Sequence, residues 1–298
     1  MRFRLLIALA ALLFSTGGAA FKAASLTGWQ VASFRSLVAA VVLLALIPGT
    51  RRGWNRRMAP VALAYALTLV LFALANRLTT SANAIFLQST APLYLLLLGP
   101  WLLHEPIWRR DLLFIAGVAA GMGLFFLGRD TAVATAPNPP LGNALALASG
   151  LTYALMLAGL RWFGKQRGDS ALEIVAAGNL AAFLIALPMA LPVSHVAVSD
   201  VFVVLYLGVV QIGLAYWCLT RGMRYVPVFE ATTMLQLEPA MNPIWTWFVH
   251  NEVPNRWAIV GGTVIMSATL INTWRQPNVR RRGPALEAPP HLSRPEHR

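Results

Sequence analysis

Cysteine is nearly missing from this chain: Cys218 stands alone among 298 residues. That excludes an internal disulfide framework and a thiolate metal cluster. Lysine is almost as scarce, two residues against 22 arginines, which with abundant alanine suggests a GC-rich bacterial genome. Acidic residues number 11, and charged residues make up only 12% of the chain. A soluble chain of this length would form two domains with charged surfaces, so that class is excluded. Enzyme signatures are missing too. There is no Gly-rich phosphate loop, His-Glu-x-x-His helix or Gly-x-Ser-x-Gly elbow. His104, His195, His250, His291 and His297 are scattered without ligand spacing. The sequence therefore predicts no catalysis, no metal and no cofactor.

What is present is apolar: 57% of the residues are hydrophobic. Ten runs are long enough to cross a bilayer, at about 4–24, 29–48, 58–77, 80–103, 111–128, 141–162, 171–192, 200–220, 226–249 and 256–274. The expected fold is an all-α polytopic membrane protein, with the lipid bilayer as its first partner. Arg2, Arg4 and the small residues from Ser15 to Ala20 mimic a signal peptide. Cleavage there would leave unequal halves, so the first span is read as retained.

The basic excess of 24 Lys+Arg over 11 Asp+Glu falls in short clusters between spans, which encodes topology and predicts no nucleic-acid partner. With the N-terminus inside, nineteen positives lie inside and four outside (Lys22, Arg77, Arg129 and Arg256), while Arg35 lies within a span. Both termini are therefore expected in the cytoplasm. The polar link from Arg129-Asp130 to Pro137-Asn138-Pro139-Pro140 leaves five spans on each side. Five is odd, so the halves are expected as inverted repeats with a site between them. Their expected boundaries are 1–135 and 136–277, followed by a disordered cytoplasmic tail over 278–298.

Two spans carry the clearest repeat. A shift of 147 positions lays Ala231, Pro239, Glu252 and Arg256 over Ala84, Pro92, Glu105 and Arg109. Around Pro239 runs Gln236-Leu237-Glu238-Pro239-Ala240-Met241-Asn242-Pro243. A core of ~30 Å takes ~20 residues at ~1.5 Å each, which puts Glu238 near mid-depth. A carboxylate there is costly and is a functional candidate by default. Glu238, Asn242 and Trp245 share a helical face. Pro239 and Pro243 each lack a backbone donor, which is expected to free carbonyls nearby. The same depth arithmetic brings Gln88, Arg35 and Gln211 into the midplane band.

The pattern resembles the EamA family of the drug/metabolite transporter superfamily. Pro92 to Glu105, Pro239 to Glu252, Phe14 to Lys22 and Phe34-Arg35 carry the resemblance. Phe14-Ser15 stands where a Trp-Gly pair is frequent in the family. The resemblance implies a bacterial inner-membrane carrier, usually an exporter of amino acids or related small metabolites. It also implies a central cavity lined by spans 1, 3, 4, 6, 8 and 9.

The candidate substrate residues are Glu238, Gln236, Gln88, Asn242, Arg35 and Gln211, with Tyr65, Tyr94, Tyr153 and Trp217 as aromatic lining. The bland alternatives are a neutral acid bonded to helix backbone, a structural ion pair, interhelical glue and interfacial belts. Glu105 and Glu252 read as loop-end residues, and Gly117 with Gly121 as a packing face. The expected partner is a small-molecule solute, with protons as candidate coupling ion, and the protein as monomer or homodimer. A flippase for a lipid-linked intermediate is the rival; it needs a lateral opening with a cationic rim.

Overall fold

The computed structural model of the chain describes residues 2–51, 53–102, 109, 111–127, 132–167, 171–223, 225, 226 and 234–275. Glu105, the Arg129-Asp130 pair, the stretch 227–233 and the expected tail lie outside the described residues. The α-helices are α1 (Arg2–Ser15), α2 (Gly17–Ala23), α3 (Gly28–Leu46), α4 (Ala59–Leu78), α5 (Ser81–Gln88), α6 (Ala91–Leu102) and α7 (Asp111–Leu127). After the link come α8 (Pro139–Arg167), α9 (Ala171–Ala190), α10 (Val198–Leu205), α11 (Ala215–Met223), α12 (Leu237–His250) and α13 (Arg256–Arg275). A π-helical segment, Tyr206–Leu214, joins α10 to α11. Among the described residues, the only β-type pairing is the isolated bridge between Val133 and Ala136.

Seven described helices are long and apolar enough to cross a membrane, and Asp111–Leu127 is a shorter apolar one. Their outward faces suit lipid: Trp101, Leu46, Val198, Phe202 and Phe248 are all largely exposed. In water such a surface would aggregate; in a bilayer it costs nothing.

The helix starts follow local chemistry. Thr27 caps α3 in a reciprocal box with Gln30: its side chain accepts from the Gln30 N–H, and Gln30 Oε1 accepts from the Thr27 N–H. Thr80 caps α5 by accepting from the Asn83 N–H. Pro139 and Pro140, read in the sequence as part of the link, instead open α8. The first turn of a helix has spare N–H groups, so a proline there loses no bond.

The packing maps onto itself when the two halves are exchanged. The exchange pairs α1/α2 with α8, α3 with α9, α4 with α10–α11, α5/α6 with α12, and α7 with α13. Helix α3 packs on α9 and α7 on α13, each pair its own mirror. The contact of α4 with α8 matches that of α11 with α1. Likewise α4 on α9 matches the π segment on α3, and α5/α6 on α8 matches α12 on α1/α2. The α7–α13 crossing is very close, because a Cβ at Gly121 would sit 2.9 Å from the Gly261 carbonyl, and one at Gly261 2.7 Å from the Gly121 carbonyl.

The breaks in the helices repeat as well. One span breaks at Ser89–Thr90 and its counterpart at Gln236, and Ser89 and Gln236 are themselves 147 positions apart. Pro92 and Pro239 therefore both stand in the first turn of the helix that follows. This corrects the expectation that Pro239 frees a carbonyl: its missing N–H belongs to a group that a first turn leaves unbonded anyway. Pro243 does lie inside α12.

Candidate functional site

Interrupted helices surround the centre of the bundle. The first span breaks at Thr16, two others at Ser89–Thr90 and Gln236, and a fourth carries the π segment. Irregular backbone at membrane depth is tolerated where protein or a water-filled cavity covers it, and such breaks mark transporter sites.

Arg35 sits in the middle, only 1% exposed. Its Nη2 donates to the Leu69 carbonyl at 3.1 Å and its Nη1 to Gln211 Oε1 at 3.4 Å. The guanidinium lies 4.5 Å from the centre of the Phe21 ring. Its Nε has no partner, and among the described residues no acid pairs with it. A desolvated cation over an aromatic face gains roughly 2 kcal/mol, far short of what an isolated charge loses on leaving water.

Tyrosines fill the space beside it. Tyr65 is fully buried, its ring packed over Gly178, and its hydroxyl accepts from Asn179 Nδ2 at 3.2 Å. Tyr65 and Tyr216 have ring centres 5.7 Å apart, and Phe14 meets Tyr216 edge-on at 5.1 Å. The contact of Arg35 with Gln211 and that of Asn179 with Tyr65 are counterparts under exchange of the halves. One joins α3 to the π segment; the other joins α9 to α4.

Glu238 occupies the first turn of α12, where the helix dipole favours negative charge. Its carboxyl is near enough to act electrostatically on Tyr153 and Tyr216. Among the described residues it makes no hydrogen bond or ion pair. Gln236 stands at the break itself with its buried Oε1 unpartnered. Arg35, Tyr65, Tyr153 and Glu238 thus gather around Tyr216, with Gln211 held beside Arg35; Tyr216 is not among the sequence candidates. Asn179 was also passed over, although a lone amide inside the apolar run 171–192 was a usable signal.

The other sequence candidates lie apart from this cluster. Gln88 ends α5 and donates to Ser149 Oγ at 2.6 Å, and Ser149 in turn donates to the Thr68 carbonyl at 3.2 Å. Asn242 packs against Ser81, their Oδ1 and Oγ 2.7 Å apart. Trp245, on the same face as Glu238 and Asn242, donates to Ser15 Oγ at 2.9 Å. Tyr94 is half-buried on α6 beside Thr90. Trp217 lies under the Arg221 guanidinium at 5.1 Å.

A second polar layer lies toward the end of the bundle remote from the N-terminus. Lys22 and Glu252 form an ion pair of 3.0 Å with side chains 2% and 3% exposed. Lys22 Nζ also donates to the carbonyls of Thr79, at 2.7 Å, and Thr135. Glu252 Oε1 accepts from the Ser81 N–H at 2.7 Å. Ser81 Oγ lies 3.0 Å from Asn76 Oδ1. Thr79, Asn83 and Asn143 complete the layer through hydrogen bonds of 2.7 to 3.3 Å. From sequence alone, Lys22 reads as a topological charge and Glu252 as a loop end.

Between α3 and α10 a groove of about 230 Å³ is lined by Leu26, Phe34, Val38, Val204 and their neighbours. Its ionisable liner is Asp200, which accepts from the Ser25 and Ala197 N–H groups and from the Ser25 hydroxyl. Asp200 is fully buried and its carboxylate is engaged by these groups, so the groove presents an apolar surface with no cationic residue among its described lining.

The EamA-like transporter family model matches residues 2–127 and 140–274. A crystal structure described only as that of a protein is similar over 93% of this chain and 99% of its own, with a TM-score of 0.62 and 17% identity. At that identity the likeness concerns the fold alone. No curated protein matches the sequence.

Proposed function

Since the chain belongs to the EamA-like transporter family, we propose that it is a secondary transporter with a solute site at the bundle centre, between two inverted halves. The halves are 1–135 and 136–277, five transmembrane helices each, with 278–298 as a cytoplasmic tail. One observation carries the reading: Arg35 and Glu238, opposite in charge and each without a counter-ion among the described residues, flank one tyrosine cluster. Unpaired ionisable groups at that depth are expensive and persist where a ligand or a coupled ion compensates them. A solute bearing both an acid and an amine, as amino acids do, would neutralise both at once. Tyr65, Tyr153 and Tyr216 would pack its carbon skeleton.

Rocking of the halves would expose the site to each side in turn, in a bacterial inner membrane with both termini cytoplasmic. Export, with protons as coupling ion, is the direction we favour. The α3–α10 groove has no cationic residue in its described lining, so it gives the flippase reading no support.

The test is a metabolite comparison of media from cells lacking and overproducing the protein, followed by counterflow of the enriched compound in proteoliposomes. The expected result is an enriched zwitterionic compound that exchanges across the vesicle membrane. Enrichment of compounds bearing neither group, with no counterflow of amino acids, would contradict it.

A further inference from the structure

The layer around Lys22 shares no hydrogen bond or ion pair with Arg35, Glu238 or the tyrosines among the described residues, and its geometry gives it a separate task. We propose that the Lys22–Glu252 pair is a latch that shuts the site toward the end of the bundle remote from the N-terminus. The inference rests on the alternating-access reading.

The pair joins the two halves of the molecule. Lys22 belongs to α2 in the first half, and Glu252 follows α12 in the second. The Lys22 ammonium donates to the Thr79 and Thr135 carbonyls and faces the buried Glu252 Oε2, whose negative charge it balances at 3.0 Å. Glu252 is held in turn by the Ser81 N–H, and the hydroxyl of Ser81 reaches Asn242 on α12. Opening a path at this end would have to part these groups.

The space below the pair is closed as tightly as the pair itself. A Cβ at Gly18 would lie 1.8 Å from Ser81 Oγ and 2.6 Å from Asn242 Oδ1. No gap remains between α2, α5 and α12 at that level. Helix α2 is a seven-residue helix set off from α1 by the turn at Thr16.

A buried ion pair suits a latch energetically. Its Coulomb attraction is largely offset by the cost of taking both charges out of water. When the end opens and water enters, each ion regains its hydration, so separation costs little. An apolar plug of the same size would lose its burial on every opening. With one charge removed, the remaining buried ion favours the open, hydrated arrangement.

The experiment places Asn76→Cys as a reporter in a Cys218→Ser chain, since Asn76 is fully buried directly beneath Ser81. A membrane-impermeant maleimide is applied to the face remote from the N-terminus. Thr220→Cys reports the opposite end, near where Gly222 packs on Ile7. With the latch intact, the Asn76→Cys reporter should label slowly. Glu252→Gln and Lys22→Met should each speed its labelling at least about tenfold, by shifting the population toward the open form. The exchange Lys22→Glu with Glu252→Lys should restore slow labelling, which a general loosening of the fold would not do.

Unchanged Asn76→Cys labelling in both single variants overturns the latch. So does fast labelling that persists in the charge exchange. If the single variants fail to reach the membrane folded, the charge exchange decides alone: slow labelling with retained transport supports the latch, and fast labelling or lost transport overturns it. Thr220→Cys separates the two ideas. Its labelling should fall as that of Asn76→Cys rises. If it stays constant while Asn76→Cys responds, the pair closes that end, but the alternating-access reading on which its role as a latch rests is overturned.

Discussion

At the scale of single residues, the close packing of small and polar groups sets what can change. Gly18 lies against Ser81 and Asn242 with no room for a methyl group. Gly18→Val should therefore destabilise the protein by about 1–3 kcal/mol through overpacking, read as a lower melting temperature in detergent. Gly123 has nothing within 4 Å of its would-be Cβ, so Gly123→Ala is the control. Removing a helix-interior glycine there should leave stability unchanged or raise it by up to about 1 kcal/mol. Equal losses in the two variants would show that the Gly18 contact is unimportant. Part of this was legible beforehand. Glu238, Arg35 and Gln211 stood out because charged and amide groups inside apolar runs are costly. Lys22 and Glu252 did not, because each ends a run, and their separation in sequence conceals that they meet.

At the scale of elements, the broken helices carry the repeat more clearly than the identities do. The shift of 147 positions that aligned Pro92 with Pro239 also aligns the breaks preceding them, at Ser89 and Gln236. The proline positions are therefore informative, although Pro239 stands in the first turn of α12, where it frees no carbonyl. The π segment Tyr206–Leu214 was not legible, since its apolar run reads the same in α or π geometry. It matters because it presents Gln211 to Arg35. Deleting Val210 should let the segment relax to an α-helix and turn Gln211 about 100° from its place, since each residue advances the helix by that angle. The expected outcome is a chain that still inserts and is purified folded but no longer transports. Full transport after the deletion would mean the π geometry is incidental.

At the scale of the whole molecule, the packing pattern that survives exchange of the halves is the physical form of the sequence repeat. It arises because the described helices of the two halves repeat the same order of apolar runs and breaks, so equivalent faces find equivalent partners. The bias of positive charge predicts how the assembly sits in the membrane. Reporter fusions after Arg57, Arg167 and Arg298 should be active on the cytoplasmic side, and one after Asn138 on the other. An externally active fusion after Arg167 or Arg298 would refute the proposed count of five spans in each half.

The central claim is that Glu238 and Arg35 hold a solute between those halves, with Glu238 carrying the coupled proton. Glu238→Gln keeps the shape and polarity of the side chain but cannot take up or release a proton. Transport of the enriched solute should be measured in proteoliposomes holding either protein, with and without an imposed pH gradient. The account predicts that the wild type accumulates solute against its gradient when the pH gradient is present. It predicts that Glu238→Gln, folded and inserted, exchanges solute at most slowly and equally with or without the gradient. Gradient-driven accumulation by Glu238→Gln at the wild-type level would contradict the account and leave Glu238 a structural residue.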